Sequence, residues 1–283
     1  MLLPGVILAL IFHYAPMPGI IIAFQDYKPW TGMFNSEWIG WHNFKLLFTM
    51  DNSVQVIYNT LLISSLKILF GILVPVSFAI LLNEIRQMAL KRSIQTMVYL
   101  PHFMSWVILG GILLDILSLE GISNQFLSFI GIEPIMFLGE GNWFRFTLIA
   151  SDQWKEFGFS AIIFLAALAG INPSLYEAAE MDGATRLKQT MYITLPGILP
   201  TVIVVMTLSL GNMLNANFDQ VFNLITPLVM REGDIIDTYV YRTFTNGNFS
   251  FATAVGLFKS VVGFVLIAFA YYSAGRWANY RIF

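Results

Sequence analysis

The sequence contains no cysteine, and only 11% of its residues are charged. The absence of cysteine excludes disulfides, thiol catalysis and cysteine metal sites. The three histidines, His13, His42 and His102, lie far apart in the chain, so no metal centre is predicted. The formal net charge of −2 gives no electrostatic basis for binding nucleic acid.

Sequence motifs of common enzymes are also absent. The chain has no H-E-x-x-H zinc motif, no G-x-S-x-G nucleophile elbow and no Walker A phosphate-binding loop. An integral membrane enzyme would need a nucleophile–base pair or a metal cluster, and neither pattern is present. We therefore predict no catalytic residues, no bound cofactor and no ATP hydrolysis by this chain itself.

What the chain has in excess is apolar surface. Hydrophobic residues make up 57% of the sequence, whereas soluble domains are about 45–50% apolar and about 25% charged. A soluble protein of this composition would expose large apolar patches and aggregate. The composition therefore predicts an integral membrane protein whose excess apolar surface faces the lipid bilayer.

Six apolar stretches are long enough to cross a bilayer, which takes about 20 residues. Only helices are expected here, because backbone groups in lipid must bond within their own segment. The first stretch lacks the basic region and the cleavage site of a signal peptide. We predict an all-α membrane domain over 1–283 with spans near residues 2–24, 56–83, 97–118, 144–170, 197–218 and 251–276.

The distribution of lysine and arginine predicts the orientation, because basic residues concentrate in cytoplasmic loops. The short loops after the second and fourth stretches and the C-terminus carry Arg86, Lys91, Arg92, Arg186, Lys188, Arg276 and Arg281. The opposite side has longer, acid-rich loops with Lys28, Lys45, Arg145, Arg231 and Arg242. We therefore expect both termini and the loops 84–96 and 171–196 to lie in the cytoplasm.

The loop 171–196 carries the strongest local signals. Ser174 followed by Glu177 is the spacing of a capping box, which predicts a short helix over Leu175–Asp182. Gly183 permits a turn, and a second short helix is expected over Ala184–Tyr192. Such a loop is either a compact helical knob that binds a partner or an amphipathic surface linker. Two prolines are expected to restart the chain into the fifth span, Pro196 and Pro200.

This loop resembles the EAA loop of permease subunits from binding-protein-dependent ABC importers. The matching positions are Glu177, Ala178, Ala179, Asp182, Gly183, Ile193, Leu195 and Pro196. The opening LLPGVILALIFHYAPMPGIIIAFQDYKPW, the LLNEIR stretch at 81–86 and the YLPHFMSWV stretch at 99–107 extend the resemblance over nearly the whole chain. They are similar to maltose-transporter-related sugar permeases, in particular the polysaccharide and complex-oligosaccharide branch.

The resemblance implies partners and a mechanism. The short helix that carries Glu177 would dock in a cleft of a separate ATP-binding subunit. Glu177 would contact that subunit, and Ala178, Ala179 and Gly183 would shape the fit. ATP and magnesium would bind in that subunit, and its closure would rock the spans. The implied assembly contains a second permease, forming a heterodimer, two ATP-binding subunits, an extracytoplasmic solute-binding protein and a carbohydrate substrate, all at a bacterial cell membrane.

Charged and polar residues inside the predicted spans are candidates for a translocation pathway, because such residues are costly in lipid. They are Lys67, Asp152, Trp154, Lys155, Glu156, Asn212, Asn215 and Lys259. Three lysines at similar depth would suit an anionic sugar, and Trp154 offers an aromatic face to a sugar ring. The alternative is internal pairing, for example between Asp152 and Lys155 three residues apart, or with an acid of a partner chain.

Two further alternatives concern the type of transporter. A stand-alone channel or secondary transporter often has internal repeats, and the sequence shows none. A permease for amino acids or phosphate would share the EAA loop, so the carbohydrate substrate rests on resemblance alone.

Overall fold

The computed structural model describes residues 2–277, with side chains as far as Tyr272, and it is mostly helical in that range. The side chains of Arg276 and Arg281, expected at the cytoplasmic side, lie outside the described part. The helices are α1 (Leu3–Ala9), α2 (Gly32–Asn35), α3 (His42–Thr49), α4 (Asp51–Asn83), α5 (Met88–Tyr99), α6 (Trp106–Ile116), α7 (Ile122–Phe129), α8 (Gly141–Ala169), α9 (Pro173–Met181), α10 (Arg186–Gln189), α11 (Leu195–Gly211), α12 (Phe218–Leu224), α13 (Met230–Gly233), α14 (Ile236–Thr245) and α15 (Phe249–Trp277).

Several α-helices are extended by tighter or wider turns. Two π-helical segments cover Leu10–Tyr14 and Thr190–Thr194, and three 3-10 segments cover Met17–Phe24, Leu100–Phe103 and Pro227–Val229. Two short strands, β1 (Gln25–Asp26) and β2 (Glu37–Trp38), pair antiparallel with Gln25 opposite Trp38. This small ribbon closes the loop that follows the first apolar segment.

Within the described residues, four helical segments are long and apolar enough to cross a membrane: Leu3–Phe24, Asp51–Asn83, Arg186–Gly211 and Phe249–Tyr272. Two bent pairs bring the number to as many as six. They are Met88–Phe103 with Trp106–Ile116, bent by 103°, and Gly141–Ala169 with Pro173–Met181, bent by 68°. The structure is therefore that of an all-α integral membrane protein with four to six spans.

The third apolar stretch, expected over 97–118, is not one straight helix. The chain breaks at Met104 and Ser105 between the 3-10 turn and α6. Pro101 lies in that turn, and it cannot donate the backbone hydrogen bond that a continuing helix would need. The Ser105 hydroxyl accepts a bond from the Ile108 amide at 3.4 Å and so caps the new helix.

The fifth stretch, expected over 197–218, also differs from the structure. The helical segment begins at Arg186, passes through the π-turn Thr190–Thr194 and ends at Gly211. Pro196 is the second residue after the π-turn, and Pro200 lies inside α11, so the helix is not restarted at either proline. Residues 212–217 are non-helical, and Asn217 adopts a positive φ of 70°.

The helices pack around three clusters of buried apolar side chains. Helices α4 and α8 lie side by side, and residues from the 212–235 region pack onto them, including Ala216, Val221 and Ile235. A second cluster joins α3, α4, α14 and α15, and a third joins α4, α8 and α11 around Phe164. Gly158 of α8 allows α5 to approach closely, because a Cβ there would lie 2.5 Å from the Val98 carbonyl oxygen.

Candidate coupling and translocation sites

The segment between α8 and α11 is a helix–turn–helix knob. Asn172 is the N-cap of α9, since its side-chain oxygen accepts from the Ser174 amide at 3.1 Å. The capping box expected from Ser174 and Glu177 is therefore replaced by a cap two residues earlier. Gly183 has a φ of +74°, which ends α9 in a left-handed turn that favours glycine. The expected second helix is a short α10 that continues through a π-turn into α11.

The residues of the EAA pattern occupy two parts of this knob. Glu177, Ala178, Asp182 and Gly183 are exposed, and Ala179 is half-buried. Large apolar side chains beside them are also open, with Met181 88% and Leu187 71% exposed. The other three residues lie on the continuous helix that leads into the membrane: Ile193, Leu195 and Pro196. An exposed apolar surface at the end of a bundle is typical of a protein interface.

Two contacts hold the knob to the bundle. The Tyr176 hydroxyl lies 2.9 Å from the buried Thr194 hydroxyl and so fastens α9 to the start of the α11 segment. Arg186 forms an ion pair of 2.7 Å with Glu84, at the C-terminal end of α4. These contacts connect α9 to the start of the α11 segment and α10 to the end of α4.

Lys67 on α4 forms the centre of a buried polar cluster. Its ammonium donates to Asp152 on α8 at 3.1 Å, to the Ala216 carbonyl at 2.9 Å and to the Gln220 side chain. Gln220 in turn donates to the Leu148 carbonyl at 2.7 Å. These bonds fix the non-helical 212–217 segment against α4 and α8.

Lys155 and Glu156 on α8 form a second cluster, at the break in the third segment. Lys155 donates to the His102 carbonyl at 2.7 Å and to Glu156 at 3.0 Å. His102 Nδ1 lies 2.7 Å from the other Glu156 oxygen, and its ring stacks on Phe159 with 4.0 Å between centroids. The cluster therefore fastens the 103° bend to α8.

Lys259 on α15 belongs to a third cluster, which is partly open. Its ammonium lies 2.6 Å from an Asp237 carboxylate oxygen and 2.7 Å from the Asn215 amide oxygen. The side chains of Lys259 and Asp237 are 20% and 26% exposed. Trp154 is 46% exposed and Asn212 is also exposed, so neither is enclosed within this chain.

The three lysines therefore each meet a carboxylate of this same chain. The expected pairing of Asp152 with Lys155 is not formed, because Asp152 faces Lys67 and Lys155 bonds Glu156. Lys67 and Lys259 therefore need no acidic partner from another chain, which was the alternative considered for them. Sequence reasoning missed three residues of these clusters: Gln220, His102 and Asp237. Gln220 and Asp237 lie outside the apolar stretches, and His102 lies at the break in the third one, so hydropathy gave no signal for them.

The described residues contain no group of three or more His, Asp or Glu side chains arranged to hold a metal ion.

Comparison with known proteins connects these sites to transport. Residues 68–279 match the family model described as binding-protein-dependent transport system inner membrane component. Protein LplB of Bacillus subtilis is 43% identical over 285 residues, covering 100% of this chain and 90% of that protein. The polygalacturonan/rhamnogalacturonan transport system permease protein YteP of the same organism is 43% identical, covering 95% and 85%.

A solved structure agrees over almost the whole fold. The crystal structure of a bacterial ABC transporter involved in the import of the acidic polysaccharide alginate contains a chain with a TM-score of 0.90 and 41% identity, and the match covers 98% of this chain and 94% of that one. A second structure of an alginate ABC transporter, in complex with alginate pentasaccharide-bound periplasmic protein, has a TM-score of 0.89 and 40% identity, with coverages of 98% and 93%. The chain therefore belongs to the family of binding-protein-dependent ABC importer permeases, the membrane components of these transport systems.

Proposed function

We propose that this permease imports an acidic oligosaccharide delivered by an extracytoplasmic binding protein. The observation that carries the proposal is the 40–43% identity, over nearly the full chain, to permeases whose names or titles specify polygalacturonan, rhamnogalacturonan or alginate. These polymers share uronic acids, which carry a carboxylate on the sugar ring. The same comparisons favour carbohydrate over the amino-acid and phosphate alternatives.

The charge balance of the candidate pathway supports passage of an anion without tight binding. Lys67, Lys155 and Lys259 are each neutralised by a carboxylate within the chain. A free lysine at mid-membrane depth would hold a carboxylate strongly and slow its release, whereas a neutralised one attracts it weakly. We infer that selection for the acidic sugar occurs mainly in the binding protein and at partner surfaces.

The open third cluster is the part of this chain that we assign to the pathway. Lys259, Asp237 and Asn215 offer donors and acceptors that match sugar hydroxyls, and Trp154 offers a half-exposed aromatic face. Lys67, Asp152, Lys155 and Glu156 are assigned a supporting role, since their bonds hold the helix breaks in place and both lysines are more buried than Lys259. Asn212, which is exposed, stays a candidate for the pathway.

The knob over 171–196 is assigned the coupling role. Glu177, Ala178, Ala179, Asp182 and Gly183 would enter a cleft of an ATP-binding subunit, where ATP and magnesium are bound and hydrolysed. Ile193, Leu195 and Pro196 would carry the displacement into α11. The exposed Met181 and Leu187 support this assignment, because they would be covered in such an interface.

The proposed assembly is a bacterial membrane complex of this chain, a second permease and two ATP-binding subunits. The chain would cross the membrane six times, with the third and fifth segments bounded as the structure has them, and with both termini and the knob in the cytoplasm. Loops on the extracytoplasmic side, including the 219–250 region, would contact the binding protein.

The test is ATP hydrolysis by the purified assembly in proteoliposomes. We expect stimulation by binding protein loaded with uronic-acid oligosaccharides, and weaker stimulation by neutral oligosaccharides of equal length. Equal stimulation by both classes would overturn the acidic preference, and stimulation by amino acids alone would overturn the carbohydrate assignment.

A further inference from the structure

The outer surface of the bundle carries an apolar cavity that no transport role explains. Its volume is about 510 Å³, within the range of small-ligand sites. Its walls come from the end of the first apolar segment, from α3 and from α15, and include Trp41, Phe44, Phe48, Phe258 and Val261. The lining surface is apolar throughout, so a polar solute such as a sugar would gain no hydrogen bond there.

The cavity lies between the end of the first candidate span and the first half of α15. Phe24 lies at the end of the first candidate span, where the first of the longer loops begins. Leu257 and Val261 lie 8 and 12 residues beyond Phe249, which is about 12–18 Å along the helix axis. Half of a hydrocarbon core about 30 Å thick is about 15 Å. Counted from the start of α15, its part of the wall therefore lies near the middle of the bilayer, and Phe24 lies at the end of the first candidate span.

The wall of this cavity includes a single cation. Lys45 contributes to the wall, but because the wall is wholly apolar, it does so with its methylene stem and its ammonium lies beyond. The side chain is exposed, and the ammonium has no carboxylate partner in the part of the chain that the structure describes. By contrast, Lys28 on the same side pairs with Asp26 at 3.3 Å.

Aromatic residues place Lys45 at the level of the headgroups. Trp38 and Trp41 are 62% and 66% exposed, and Trp rings concentrate at membrane–water interfaces. Phe24, Trp41 and Phe44 pack against one another with centroids 5.1–5.4 Å apart. This rigid aromatic group leaves the cavity preformed.

We propose that the cavity binds one acyl chain of an anionic phospholipid whose phosphate group is held by Lys45. The lysine at the wall and the wholly apolar lining together fit this amphiphile. In the orientation proposed above, the lipid belongs to the extracytoplasmic leaflet. The lipid would fill the space between α3 and α15 and so steady the contact of Phe48 with Phe258, whose centroids lie 5.4 Å apart.

The experiment measures lipid retained by the assembled transporter, using native mass spectrometry after titration with phosphatidylglycerol or phosphatidylcholine. We expect phosphatidylglycerol to be retained preferentially. Lys45→Gln should weaken its retention about fivefold, the contribution of one basic residue near a charged headgroup. Val261→Trp should reduce retention of both lipids, because Val261 is 55% exposed and the larger ring would fill the cavity without disturbing the core.

Lys28→Gln is the matched control, because it removes a cation from the same side that already has an acidic partner. It should leave retention unchanged. Equal retention of the two lipids by the parent and the Lys45 variant would overturn the proposal. Crosslinking of the cavity wall to a helix of the second permease would also overturn it. The lipid proposal rests on the orientation proposed above, but its failure would leave the import proposal standing, because substrate-stimulated ATP hydrolysis is measured in a separate assay.

Discussion

Removing Lys67 tests whether the buried polar cluster holds the bundle together. In Lys67→Met, the Asp152 carboxylate would keep only the Asn217 amide, 3.3 Å away. The Ala216 carbonyl would lose its 2.9 Å bond to the ammonium. Breaking a buried ion pair from one side costs about 3–5 kcal/mol, because the remaining charge is left uncompensated. Asp152 is 14% exposed, so we expect a loss of about 3 kcal/mol, the lower end of that range.

The measurement is the unfolding free energy of the purified chain in a reversible detergent-denaturation assay, carried out as a double-mutant cycle. Asp152→Asn in the Lys67→Met background should recover part of the loss, since the uncompensated charge is then absent. We expect a coupling energy of about 0.5–3 kcal/mol. The exposed Lys188→Met is the control, with an expected change within about 0.5 kcal/mol. Additive effects of the two substitutions, or a Lys67→Met protein as stable as the parent, would refute the reasoning.

Three other substitutions separate coupling, transport and packing. Glu177→Lys should abolish association with the ATP-binding subunit in co-purification; a stable, fully active complex would count against the coupling role. Lys155→Met should lower substrate uptake, because the polar cluster at the bend of the third segment is lost, while association with the ATP-binding subunit persists. Unchanged uptake would show that Lys155 does not support the pathway. Gly158→Leu should destabilise the chain by about 1–3 kcal/mol, since the new side chain meets the Val98 carbonyl. Gly256→Ala, with no neighbouring side chain or other element within 4 Å of the new Cβ, is its control; it should stabilise the chain by about 0.5–1 kcal/mol, because alanine is favoured over glycine inside a helix.

Hydropathy and residue spacing were sufficient to predict the membrane class and the knob. Apolar length alone indicated each segment that could cross the bilayer, because the requirement is a physical distance. Gly183 was expected at a turn, and its positive φ confirms that reasoning. The cap was assigned two residues late, since both Asn172 and Ser174 are good capping residues and the choice depends on where Pro173 begins the helix.

The polar contacts could not be predicted in the same way. Hydropathy gives the approximate depth of a residue in the membrane, but it does not give the direction in which its side chain points. Lys67 bonds to residues 85 and 153 positions away, and these pairs depend on how α4, α8 and the 212–217 segment pack. The i, i+3 rule suggested Asp152 with Lys155, but tertiary packing brought Asp152 to a different lysine, Lys67 on α4.

The breaks in the third and fifth segments had signals that are visible only in retrospect. Pro101 and the cap Ser105 lie in an apolar stretch whose mean hydropathy is consistent with a straight helix. The fifth helix ends at Gly211 because the following asparagines bond elsewhere, with Asn215 on Lys259 and Asn217 on Asp152. Apolar length was a reliable guide to the presence of a segment, and it was a poor guide to where that segment bends or ends.

The most direct test of the account is the side of the membrane on which the knob lies. The chain has no native cysteine, so Ala178→Cys provides a single reactive position on exposed α9. A membrane-impermeant maleimide should label it in inverted vesicles and not in intact cells, and the ATP-binding subunits should protect it from labelling. Labelling in intact cells would contradict the coupling of this permease to a cytoplasmic ATPase.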